Sequence, residues 1–211
     1  MSEPRHSLTG LKIRRCLRGV LAVVLTLAFV EAAEAAPTLQ GSTGGANVVS
    51  ADVLAVHSFS IGRYNRPGEK NEVIVFGLGQ ALEVGALHRA EGSQGAAVRW
   101  NVKWALAQEQ ILRPGIAIGL EDVGAQEQRT AYVVASKGLP FGLRLHAGLG
   151  NGRYHGLFGA LEAPLLPQTK LFLEQDGRQW GAGVRVSLGP DFRLDAGHYA
   201  GKTYVGGSYT Y

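Results

Sequence analysis

Residues 97–107 read AVRWNVKWALA, and the question they raise is which of two faces meets water. Val98, Trp100, Val102, Trp104 and Leu106 alternate with Arg99, Asn101 and Lys103. A period of two puts the sets on opposite faces of a β-strand. In a soluble sandwich the tryptophans would point into a core. In a membrane barrel they face lipid and the charges fill the lumen. The rest of the chain decides between the two.

The same alternation recurs along most of the sequence, with almost nothing helical between repeats. It predicts twelve strands, at 53–63, 71–78, 81–89, 95–108, 114–121, 129–137, 140–150, 156–164, 168–177, 179–188, 190–199 and 202–211. Long strands closely spaced by turns predict an all-β fold, an up-and-down antiparallel meander closed as a transmembrane barrel. The connections after even strands (LGQ, ILRPG, GLP, LLPQ, GPD) read as short or Pro/Gly-punctuated, and those after odd strands as longer and more polar. That asymmetry matches a barrel with both ends of its chain at the periplasmic rim.

The two faces differ in kind. One carries pairs such as Ile116/Ile118, Leu143/Leu145, Leu171/Leu173 and Phe192/Leu194 and is free of charge over the middle of the strands. An Arg or Lys facing mid-bilayer costs roughly 2–4 kcal/mol, so this is the face for lipid. The other mixes glycine with charge: Arg99, Lys103, Arg144, Lys170, Arg185 and Arg193 against Glu83, Glu121, Glu162, Glu174, Asp176 and Asp195. Six against six predicts no strong ion selectivity. It fits an interlocked polar network in the lumen, or a track for a hydrated glycan.

Composition agrees with this reading. Charged residues are 18% of the 211, and glycine is abundant at 30; soluble domains average ~25% charged. Residues 1–35 read as a cleaved secretion signal: Arg14, Arg15 and Arg18 precede the apolar run GVLAVVLTLAFV (19–30), and AEA (33–35) supplies small residues for cleavage after Ala35. Cys16 precedes the apolar run, so it is no lipidation site, and the processed chain keeps no thiol for a disulfide, a thiolate metal site or a nucleophile. Taking the signal's five basic and three acidic side chains from 21 and 17 leaves 16 and 14, a net charge of +2. That gives no electrostatic argument for nucleic acid. Residues 36–50, rich in Gly, Ser and Thr, read as a flexible lead to a barrel spanning 51–211. The last strand, TYVGGSYTY, places Val205, Tyr209 and Tyr211 on one face and ends on an aromatic residue, like the signal that the outer-membrane barrel-assembly machinery reads.

Catalytic and cofactor signals are thin. His146 points inward, and with Ser187 or Ser208 and an acid it is the one combination suggestive of a hydrolase. His88, His155 and His198 fall near rims without metal-ligand spacing, so no metal and no cofactor is expected. GLGNG (148–152) lacks the lysine and the following helix of a phosphate loop and reads as a hairpin connection.

Several phrases in order resemble the YjbH-like family of outer-membrane proteins associated with exopolysaccharide: ADVLAVHSFSIGRY (51–64), FGLGQALEVGALHR (76–89), RPGIAIGLEDVG (113–124), YVVASKGLPFGLRLHAGLGNGRYHGLFGALE (132–162) and AGVRVSLGPDFRLDAG (182–197). The resemblance implies a β-barrel, here a short form with room for one, and a non-enzymatic role in exporting or organising surface polysaccharide. A small general pore or structural barrel is the alternative. Expected partners are outer-membrane lipid, the assembly machinery and polysaccharide.

Overall fold

The computed structural model describes residues 35–91 and 96–211. The expected signal, with Cys16, lies outside the described residues except for Ala35. Among the described residues, twelve strands form one closed antiparallel barrel: β1 (Phe59–Arg66), β2 (Glu69–Gly77), β3 (Leu82–Glu91), β4 (Ala96–Ala107), β5 (Gly115–Glu121), β6 (Thr130–Gly138), β7 (Arg144–Gly150), β8 (Gly156–Leu166), β9 (Thr169–Gln175), β10 (Trp180–Ser187), β11 (Phe192–Tyr199) and β12 (Lys202–Thr210). Each strand pairs with its neighbours in sequence. β1 closes on β12 with Ser60 opposite Thr210 and Asn65 opposite Val205. Closure leaves no unpaired edge, the condition a sheet must meet in hydrocarbon.

At β4 the tryptophans face outward. Trp100 and Trp104 are 56% and 54% exposed on the outer wall, while Lys103 between them is 1% exposed in the lumen. Ile118, Leu145, Leu161, Leu173 and Leu194 continue the apolar outer wall. Phe59 gathers Phe76, Tyr209 and Tyr211 around it, with centroids 5.8–6.5 Å apart, at the seam where β1 meets the end of the chain. That is a segment of interfacial aromatic girdle.

Three expectations are corrected. The first strand begins at Phe59 rather than 53, because the chain up to Leu54 is held inside the barrel, where the Leu54 N–H donates to Glu83, and Ala55, Val56 and His57 are exposed before the strand starts. Loop length does not sort between rims either. Two-residue turns occur at both, at 67–68 and 200–201 on one side and 167–168 on the other. Ala200 and Gly201 both have positive φ, the geometry that closes a tight hairpin without splaying its strands. What sorts is chemistry: the rim that holds the ends of the barrel chain exposes Leu78, Ile111, Leu112, Phe141, Leu166 and Leu188.

The third correction is the largest. Residues 36–50, expected as a flexible lead, fill the lumen. Ala36, Leu39, Ala46, Val48 and Val49 are at most 2% exposed. Val48, Val49 and Ala51 pack on Tyr132, Tyr154 and Phe158, where Tyr154 stacks on Phe158 at 3.8 Å and Tyr132 meets both rings edge-on. Leu39 and Ala46 pack on Tyr64, Leu87, Phe172 and Tyr204. The apolar side chains of this segment therefore find a dry core inside the barrel, which offsets the entropy of ordering it. Interior glycines make the room: a Cβ on Gly85 would strike the carbonyl of Gly41, and one on Gly206 the ring of Tyr64.

Candidate functional site: the occupied lumen

The inward charges of the barrel hold the backbone of this plug. Glu83 accepts the Thr43 N–H at 2.9 Å, the Thr43 hydroxyl at 2.7 Å and the Leu54 N–H at 3.1 Å. Lys103 lies 3.3 Å from Glu83 and donates to the Thr43 carbonyl at 2.9 Å. Both side chains are buried, so each charge has its counter-charge and hydrogen bonds to the plug, as burial of an ion pair requires.

A second anchor lies on β9. The Glu174 carboxylate accepts the N–H groups of Ala46, Asn47 and Val48 at 2.8–3.2 Å. Three successive N–H groups converging on one acid make a backbone nest. Arg185 pairs with Asp195 at 2.6 Å, lies over the Phe172 ring, and donates to the carbonyls of Gly44 and Gly45. Asn71 and Asn101 donate to the carbonyls of Leu39 and Gln40, and the Tyr64 hydroxyl to that of Pro37. Arg144 pairs with Asp52 at 2.6 Å.

The sequence-derived lumen residues thus fall into groups. Glu83, Lys103, Arg144, Glu174 and Arg185 touch the plug, Asp195 serves through Arg185, and Glu121 holds Arg153, which donates to the Asn47 carbonyl. Arg99 pairs with Glu127 of the β5–β6 loop at 2.9 Å. Arg193 donates to Thr210 on β12, and Lys170 occupies an inward position of β9. Asp176 instead accepts the N–H groups of Arg178 and Gln179 in its own turn and the Tyr199 hydroxyl, so it shapes a hairpin at the rim. Glu174, Arg185 and Asp195 do share neighbouring walls, but only the last two pair directly.

His146 is buried, with Nδ1 2.7 Å from the Ser136 hydroxyl and Nε2 3.2 Å from Glu162. Neither Ser187 nor Ser208 is its partner. Ser136 lies directly opposite His146 in the β6–β7 register, and an in-register reading of that hairpin would have found it. Ser136 also accepts the Ala51 N–H at 2.7 Å. The trio is one more tie on the plug. Among the described residues, no group of three or more His, Cys, Asp or Glu side chains is placed to hold a metal ion.

Asp52, Glu109, Arg153 and Tyr154 were missed by sequence reading, since each lies in the plug or in a connection. Arg153 stacks over Tyr154 at 4.0 Å, and the Tyr154 hydroxyl accepts the Val49 N–H.

A family model described as the exopolysaccharide biosynthesis protein YbjH matches residues 98–208. No curated protein matches the chain. Among solved structures the chain is similar to a KdgM porin at a TM-score of 0.56 and 10% identity, covering 73% of this chain and 99% of that one. A second structure, a KdgM porin in complex with disordered oligogalacturonate, matches over the same shares at a TM-score of 0.53 and 10% identity. At that identity the likeness is one of fold, the porin-type transmembrane barrel.

Proposed function

We propose, taking as premise that the chain belongs to the YjbH family, that it works as a structural barrel of the outer membrane, closed by its own N-terminal segment, and that it organises exopolysaccharide at the cell surface. The observation that carries the closed-barrel reading is the plug: residues 36–54 occupy the lumen and are tied to Glu83, Lys103, Ser136, Glu174 and Arg185. A general diffusion pore needs a water-filled channel, and here two apolar clusters and paired charges take that space. The family supports the polysaccharide role. His146 and Ser136, the groups a hydrolase would use, are spent on Glu162 and Ala51 beneath the plug, in keeping with a non-catalytic barrel.

In this reading residues 1–35 are removed on export, and the assembly machinery recognises the strand that ends at Tyr211. Lipid meets the wall of Trp100 and Trp104. A second reading, a pore opened by moving the plug, is favoured by one feature: most ties run from barrel side chains to plug backbone, so they can be remade with water without stranding a side-chain partner on the plug.

Planar-bilayer conductance tests the main reading. The full processed chain is expected to give no steady channel. Deleting residues 36–50, or replacing Glu83 and Glu174 together with Ala, is expected to give discrete openings. Steady conductance from the full chain overturns the closed-barrel proposal.

A further inference from the structure

A cavity of about 150 Å³ lies where the plug meets the barrel wall below the β5–β6 loop, away from the apolar rim. The plug supplies Gln40 and Asn47; the wall supplies Arg89, Arg99 and Arg153, with Tyr199 at the end of β11. An apolar cavity of about this volume accepts a single benzene ring. This one is lined instead by guanidinium, carboxylate and carboxamide groups, which suit a six-membered ring bearing oxygens.

The lining has a bias that its formal charge hides. Three arginines face Glu121, Asp122 and Glu127, but those acids are engaged. Glu121 holds Arg153, Asp122 accepts the N–H groups of Gln126 and Glu127, and Glu127 pairs with Arg89 and Arg99. Among the described residues, the buried side-chain atoms of this lining that lack a hydrogen-bond partner include Arg99 Nε, Arg99 Nη2 and Arg153 Nη1. All are donors. Among the described residues, the buried side-chain acceptors left unpaired, such as Asp195 Oδ2 or Asn71 Oδ1, belong to residues outside the lining. Buried donors without partners are costly, and a ligand that accepts from them recovers that cost. Planar guanidinium edges favour a carboxylate, which takes two such bonds at once.

We propose that this cavity binds one carboxylate-bearing pyranose ring, a unit of an acidic polysaccharide. The proposal rests on the surface-polysaccharide reading above and names the chemistry of its ligand. Because Gln40 and Asn47 form part of the wall, the site exists only while the plug is seated. Sugar binding and plug seating are therefore linked: each stabilises the other, and the barrel grips a glycan in its closed state. The site holds a chain at the surface and does not pass it through.

The test is calorimetric titration of the full detergent-solubilised barrel with sodium glucuronate, with glucose and sodium acetate as separate probes. Glucuronate is expected to bind saturably, and glucose and acetate at least about tenfold more weakly. Arg99→Lys keeps the charge but loses the planar fork and is expected to weaken glucuronate by about tenfold or more. Gln128→Ala, on the exposed loop at the cavity mouth, avoids the ion pairs and is expected to weaken it several-fold. Heat-shifted gel migration confirms that each variant is folded. Equal binding of glucose, equal binding of acetate, no glucuronate heat from a folded barrel, or unchanged affinity in both variants each overturns the proposal. A barrel that is closed in the bilayer yet ignores glucuronate sinks this site alone; one that conducts yet binds glucuronate sinks the closed-barrel reading and the link to plug seating, and leaves the sugar site.

Discussion

At the scale of single residues, the outer wall and the lumen make opposite demands on neighbours in sequence. Trp100 needs hydrocarbon, and Arg99 one residue away needs a counter-charge, which Glu127 supplies. Replacing Trp100 with Arg puts a charge on the mid-strand lipid face and is expected to cost about 2–4 kcal/mol, read as reduced folding stability in lipid vesicles under urea titration. A variant as stable as the parent would mean that this face is not in hydrocarbon. Inside, Glu174 carries more than its share, because three plug N–H groups depend on one carboxylate. Glu174→Ala leaves them without an acceptor and is expected to weaken plug seating by at least about 2 kcal/mol. A cysteine introduced by Ala46→Cys reports this: maleimide labels it slowly with Glu174 in place and much faster in Glu174→Ala. Equal rates would show that the nest does not hold the plug.

At the scale of elements, the apolar rim is stitched by one cluster between the β4–β5 connection and the β6–β7 hairpin. Glu109 accepts from Lys137 Nζ at 3.0 Å, from the Gly138 N–H at 2.7 Å and from Arg144 Nη1 at 2.8 Å. Partial burial pushes this carboxyl up, but the Gly138 N–H and the Lys137 and Arg144 cations outweigh it and hold the carboxyl below the usual value. A group whose folded value lies below its unfolded one contributes stability that is complete above the unfolded value, about pH 4.3 for Glu, and lost as pH falls through the folded value. Thermal unfolding in detergent from pH 7 to pH 3 is expected to fall more steeply for the parent than for Glu109→Gln, which lacks the titrating group. Parallel curves would remove Glu109 from the account. Arg144 joins this cluster to Asp52 of the plug, so the rim and the lumen are coupled through one guanidinium.

At the scale of the whole molecule, the barrel was legible in the sequence and its contents were not. Apart from the start of β1, the strands fall close to where alternation placed them, because each wall position has one face in lipid and one in the lumen, and that contrast writes a period of two into the chain. Residues 36–54 carry no such signature. They are neither helix nor strand, and their glycines, serines and threonines look solvated until the partners for their backbone groups are seen on β1, β2, β3, β4, β6, β9 and β10. The same limit explains the charges. Arg99, Lys103 and Glu174 are buried, but a balance of six against six says nothing about which pair with one another and which hold a plug. Tyr154, seated by a three-residue 3₁₀ turn, had no periodic signal at all. The account therefore stands on one claim, that the N-terminal segment of the described chain lies inside the barrel. Amide hydrogen exchange of the folded protein in lipid tests it most directly. The N–H groups of Thr43, Ala46, Asn47, Ala51 and Leu54, each donated to a lumen side chain, are expected to exchange as slowly as those of the barrel strands. Exchange at the rate of an unstructured chain would contradict the plug and reopen the lumen.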